Sequence, residues 1–130
     1  MSVTVGLRGE ATAAVTAANT AAACASGQLE VFGTPYLIAL MEEAACRALA
    51  PVLEPGQGSV GTRLDVHHDA PTPVGGQVRA EAEVTAVDGR RITFRVAAWD
   101  AAGPVGGGTH ERFLIRETSF LAKAEARLTP

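Results

Sequence analysis

The sequence predicts an α+β fold in which a curved antiparallel sheet wraps a central helix. Three observations lead there. Residues 32–50 form one long apolar segment with helical punctuation at both ends, and from Ser59 onward the hydrophobic period changes to two. The chain has 130 residues, 47% hydrophobic and 19% charged, enough for one core and too short for two. A helix followed by strands with one polar and one apolar face buries itself against their sheet, and a single domain over residues 1–130 is expected.

The helix is the best-marked element. Thr34-Pro35 reads as its start: a Thr hydroxyl can accept from a first-turn N–H, and Pro at the first helical position loses no bond. Pro51 and Pro55-Gly56 close it. Within it, the neighbours of Glu42 at three and four residues are Ile38, Ala39, Ala45 and Cys46, all apolar, whereas Glu43 has Arg47 four residues on. Glu43 therefore reads as a surface residue. Glu42 interrupts the apolar stripe Ile38, Ala45, Leu49, where a carboxylate is desolvated and calls for a hydrogen-bonding partner; the alternative is an edge carboxylate reaching water.

Before the helix, the Ala/Thr-rich run to Thr16 reads as a strand, and Ser26-Gly27-Gln28 as a loop leading to Leu29, Val31 and Phe32, which pack under the helix start or close over a pocket. After it, strict alternation places Val60, Thr62, Leu64, Val66 and His68 on one strand face and Ser59, Gly61, Arg63, Asp65 and His67 on the other. Only His68 then faces the helix. Gln77 to Val87 alternates with Val78, Ala80, Ala82, Val84 and Ala86 inward, Asp88-Gly89 signals a type I′ hairpin, and Ile92, Phe94, Val96 and Ala98 return on the same face. The last strand, Val105 to Arg116, contains Gly106-Gly107-Gly108, which implies close approach of a ligand or of another backbone. Residues from Glu117 form a short helix or a loose end. A helix apolar on nearly all sides is too much for one small sheet to cover, so a homodimer joined at a sheet edge is expected.

Composition excludes several classes. A net charge of −3 with scattered Lys and Arg offers no field for a nucleic-acid backbone. The first residues lack a signal-peptide pattern, and no apolar run reaches the length of a membrane span, so a cytoplasmic protein with no membrane partner is expected. Cys24 and Cys46 lack metal-site spacing and read as reduced, buried small hydrophobes, with no metal implied.

Several runs together then resemble a known family. Val31-Phe32-Gly33-Thr34 with Leu40-Met41-Glu42, Gly58-Ser59-Val60-Gly61-Thr62, His68 with Ala70-Pro71-Thr72-Pro73, Asp88-Gly89-Arg90-Arg91 and Gly108-Thr109-His110-Glu111-Arg112 follow in the order of the hot-dog-fold thioesterases related to fluoroacetyl-CoA thioesterase. The resemblance spans residues 31–120 and implies the hot-dog fold and hydrolysis of an acyl-CoA thioester to free acid and CoA, with no cofactor. It assigns Thr34, Glu42 and His68 as catalytic and places Phe32, Gly61 and Arg112 at the substrate. An aromatic loop residue of the fluoroacetyl enzyme falls here at Gln28, which points to a general short or medium acyl-CoA as substrate.

A thioester carbonyl needs a nucleophile, a donor to the developing oxyanion and an acid for the thiolate. The resemblance implies Glu42 as the nucleophile or the base for water, His68 as the group that moves protons and Thr34 as a hydrogen-bond partner of one of them, with N–H groups at the helix start or beside Gly61 as candidates for the oxyanion. Arg112 is either at the pocket or a structural cation. Because eight helical residues rise roughly 12 Å, Thr34 and Glu42 meet in one site only if the helix starts later or two chains share the site. An acyl-CoA hydratase and a noncatalytic acyl-CoA-binding protein are the alternatives, and release of free thiol separates all three.

Overall fold

In the computed structural model, which describes residues 2–130, the chain runs β1 (Arg8–Ala14), α1 (Thr34–Leu49), β2 (Gln57–His68), β3 (Gln77–Asp88), β4 (Arg91–Asp100), β5 (Gly103–Arg116) and α2 (Glu117–Ala126). Short 3-10 turns occupy Ala22–Cys24 and Ala50–Val52. The strands make one antiparallel sheet in the order β1-β3-β4-β5-β2, curled as a half-barrel around α1. The core is the seam between them: Leu37, Leu40, Met41, Ala44, Ala45, Ala48 and Leu49 of the helix against Val78, Ala80, Ala82 and Val84 of β3 and Ile92, Phe94, Val96 and Ala98 of β4. Nearly all of these are aliphatic, so the helix packs on the sheet through area removed from water rather than through polar pairing.

The pairing register shifts at three bulges, at Thr62 of β2, Thr85 of β3 and Val105 of β5, and the first two overturn strict alternation. Gly61 pairs with Arg112 and Arg63 with Glu111, leaving Thr62 as an extra residue in β2. Opposed residues of an antiparallel pair share a face, so Leu64, Val66 and His68 face inward as expected, but before the bulge the faces are exchanged. Ser59 and Gly61 turn inward with Arg112, and Val60 turns outward opposite Phe113. The second bulge, at Thr85, sets Ala86 opposite Thr93 on the outer face, where it is exposed rather than part of the core.

Three smaller expectations are corrected, and a fourth, for the glycines of β5, is narrowed to one of its two readings. At the β3–β4 hairpin Asp88 pairs with Arg91 and only Gly89 has a positive φ, so Gly89-Arg90 form the turn centre and the pattern is that of type II′ rather than I′. Cys24 and Cys46 are free but exposed, one on the loop surface and the other on α1. Leu29 does not pack under the helix and stands 70% exposed, although Phe32 is buried. The glycines of β5 accommodate a backbone and not a ligand: a Cβ on Gly106 would strike the His67 carbonyl, and one on Gly108 the Asp65 carbonyl.

Loops behind β2 fix the helix start. Thr72 is buried; its carbonyl accepts the Phe32 N–H at 2.8 Å, and its hydroxyl donates to Asp100 Oδ2 at 2.7 Å. One residue thus ties the segment after His68 to the segment entering α1 and to the end of β4. No helix among the described residues is long and apolar enough to cross a membrane.

Candidate active site

The first part of the site lies where β2 ends beside the first turn of α1. There Thr34 Oγ1 is 2.7 Å from His68 Nδ1. The capping role expected for Thr34 is overturned: Gly33 holds the N-cap position, Thr34 and Pro35 are already helical, and no side chain caps the helix. A capping side chain needs a non-helical backbone to fold back on the first turn, and Thr34 lacks one, so its hydroxyl turns to His68 instead. His68 Nε2 is buried without a hydrogen-bond partner. An unpaired polar ring atom is costly and marks where another group belongs. Beside it is a hollow of about 260 Å³ lined by Ala21, Val31, Phe32, Thr34, His68 and Pro71. His67 faces outward and pairs with Asp69, as the register requires.

The second part lies two turns along α1. Glu43 pairs with Arg47 at 2.9 Å on the surface, a contact of the kind worth roughly a few tenths of a kcal/mol. Glu42 turns to the sheet, where Arg112 Nη1 donates to its Oε2 at 3.3 Å. The carboxylate side chain is 36% exposed in the single chain, so it is less desolvated than its apolar neighbours on the helix implied. Ala39 and Cys46 on its flank are exposed rather than buried. Gly61 lies directly under it: a Cβ there would collide with Glu42 Oε2. Arg112 is 5% exposed and makes further bonds from Nε to Ser59 Oγ at 2.9 Å and from Nη2 to the Ser59 carbonyl at 3.2 Å.

His110, which sequence reasoning left without a role, completes this cluster. It is fully buried, stacked on Phe94 with ring centroids 6.1 Å apart, and contacts Arg112 Nη1 through Nε2 at 3.1 Å. Burial pushes its imidazole below the ordinary 6.5; the bond to the Arg63 carbonyl opposes this, the Arg112 charge adds to it, and Glu42 and Glu111 oppose it. Its spacing of two from Arg112 on one strand face was the available signal.

One chain thus joins Thr34 to His68 and Glu42 to Arg112, in two separate places. His68 lies opposite Gly106 and Gly61 opposite Arg112, and six residues of strand span roughly 20 Å. Among the described residues no three His, Cys, Asp or Glu side chains gather as a metal site.

Comparison with known proteins gives one consistent result. Residues 15–118 match the model of a family described as fluoroacetyl-CoA-specific thioesterase. A fluoroacetyl-CoA thioesterase from Streptantibioticus cattleyicolor is 48% identical over 98 residues, 75% of this chain and 70% of that protein. The solved structure of the fluoroacetyl-CoA thioesterase FlK superposes with a TM-score of 0.92 at 40% identity, covering 100% of both chains. A hot-dog-like protein from Thermanaerovibrio acidaminovorans superposes with a TM-score of 0.87 at 27% identity, over 97% of this chain and 93% of that one.

Proposed function

The chain belongs to the fluoroacetyl-CoA-specific thioesterase family, and from that premise we infer that it hydrolyses a short or medium acyl-CoA to the free acid and CoA at a site made by two copies of the chain. The carrying observation is the division of its polar groups: Thr34 and His68 meet at 2.7 Å with His68 Nε2 buried and unpaired, while Glu42 stands elsewhere on the same helix. A second copy paired along the free edge of β2 brings one chain's Glu42 toward the other's Thr34 and His68. An unprotected edge strand of 12 residues favours such pairing.

In this reading water adds to the thioester carbonyl while Glu42 takes its proton. His68 carries that proton to the sulfur as the C–S bond breaks, so one water is consumed and no cofactor takes part. Thr34 holds the imidazole at the angle this relay needs. The oxyanion faces the Thr34 N–H at the start of α1, where the helix dipole favours negative charge; Pro35 has no N–H and that of Tyr36 is bonded to the Gly33 carbonyl. Phe32, and the loop carrying Gln28 in place of an aromatic side chain, border the acyl hollow; that rim suits a general small acyl group rather than fluoroacetyl alone.

Mixing chains tests both the residues and the sharing. Glu42→Gln and His68→Ala are each expected to be nearly inactive in releasing thiol from acetyl-CoA, and a mixture exchanged through unfolding regains activity, because a mixed dimer holds one intact site. No recovery refutes the shared site. An active Glu42→Gln refutes the reacting carboxylate.

A further inference from the structure

The Arg112 guanidinium is buried, yet the one carboxylate it meets is bonded through a single nitrogen, Nη1, which also points at His110. Nη1 carries two hydrogens in the guanidinium plane. If one is bonded to His110, the direction of the other is fixed, and it is the other that reaches Glu42. The state of the imidazole follows from its partners alone. The Arg63 carbonyl, 2.8 Å from His110 Nδ1, can only accept, so Nδ1 carries a hydrogen. Arg112 can only donate, so Nε2 carries a bare lone pair. The ring is therefore the neutral Nδ1–H tautomer, clamped between a backbone carbonyl on β2 and a cation on β5, with Phe94 of β4 stacked on it.

We propose that His110 is a positioning residue for the hydrolysis: as the neutral Nδ1–H tautomer it takes one Nη1 hydrogen of Arg112 and so aims the other at Glu42 Oε2. This rests on the reading of Glu42 as the reacting carboxylate. The bond falls on Oε2 only, which leaves Oε1 to face water or substrate. Gly61 admits the carboxylate to this place, and Ser59 holds the other edge of the guanidinium from the strand segment that the bulge turned inward. A proton on Nε2 would set N–H against N–H and two cations side by side. The charges facing the ring are Arg112 and Glu111 on β5 and Glu42 on α1; β2 offers only the Arg63 carbonyl, and β4 the Phe94 ring.

The full-length protein tests this in two ways. Long-range proton–nitrogen NMR of the His110 ring at neutral pH should show Nδ1 protonated and Nε2 bare, a readout independent of catalysis; the opposite tautomer, or an imidazolium, overturns the proposal. Kinetically, His110→Phe keeps an aromatic ring on Phe94, though a larger one, but offers no acceptor. On acetyl-CoA it should lower kcat by about 10² with KM within about threefold, the penalty of a misaimed group. His110→Gln, whose amide oxygen can accept from Arg112, should recover at least about tenfold of that loss. If His110→Phe folds poorly, the Gln variant with its tautomer-free acceptor carries the comparison against Glu42→Gln. Wild-type kcat in His110→Phe, or a loss in His110→Gln as deep as that of Glu42→Gln, overturns the positioning role. An active Glu42→Gln instead refutes the reacting carboxylate while the NMR result stands or falls alone.

Discussion

At the scale of single residues, Gly61 shows how a missing side chain shapes a site. Its backbone is unremarkable, but the space of its absent Cβ is filled by the Glu42 carboxylate. The clashing atom is the tip of a flexible side chain, with Arg112 Nη1 and His110 Cε1 next at 3.2 Å, so Gly61→Ala should still fold, with a modestly lowered melting temperature. It should nevertheless lose thiol release by about 10-fold or more, because the carboxylate must leave its place beside Arg112. Circular dichroism melts beside acetyl-CoA assays give the answer; retained activity would mean that the observed position of Glu42 is immaterial. The same logic separates Thr34 from an ordinary helix cap. Its hydroxyl is committed to His68, so removing it acts on chemistry more than on helix stability.

At the scale of elements, the segment after β2 must be held still for His68 to meet α1. Thr72 does this through its two bonds, one to Phe32 and one to Asp100. The Thr72 hydroxyl and the Ala102 N–H hold the Asp100 carboxyl below its ordinary 3.8 against a smaller opposing effect of burial. A carboxyl lowered in the folded state contributes stability that is present above 3.8 and lost as pH falls through the folded value. Thr72→Val should therefore destabilise by about 1 kcal/mol at neutral pH and flatten part of the fall in melting temperature as pH drops below 3.8. It should also lower kcat/KM, since the segment after His68 loses its tie to the end of β4 while keeping its backbone bond to Phe32. Parallel melts of the two proteins across that pH range decide it; unchanged acid sensitivity would show that the Thr72–Asp100 bond contributes nothing.

At the scale of the whole molecule, two incomplete polar groupings and the β2 edge of the sheet would have a common resolution in a dimer. The protein is expected to scatter light as a dimer at assay concentration, with specific activity falling on dilution below the dissociation constant. A monomer of full specific activity would overturn the shared site. A dimer paired along β2 would also cover the run from Gly61 to Asp65, which is exposed in the single chain.

What the sequence determined by itself rests on short-range rules. The span of α1, the opposite fates of Glu42 and Glu43, the inward turn of His68 and outward turn of His67, and the inner faces of β3 up to Val84 and of β4 all follow from a helical or two-residue period. The family and its chemistry were legible in the order of short motifs. Tertiary structure decided whatever depends on a residue far away in the chain. A bulge at Thr62 reverses the faces of Ser59 and Val60 because β5 sets the register, and no local pattern announces an extra residue. Thr34 reads as a cap until Gly33 takes that position and His68, 34 residues on, supplies a better partner. The cluster of Glu42, Ser59, His110 and Arg112 exists only because α1, β2 and β5 converge, and its geometry is set by hydrogen bonds across those elements. Periodicity tells which side of an element a residue occupies; only the packing of one element on another decides what it meets there.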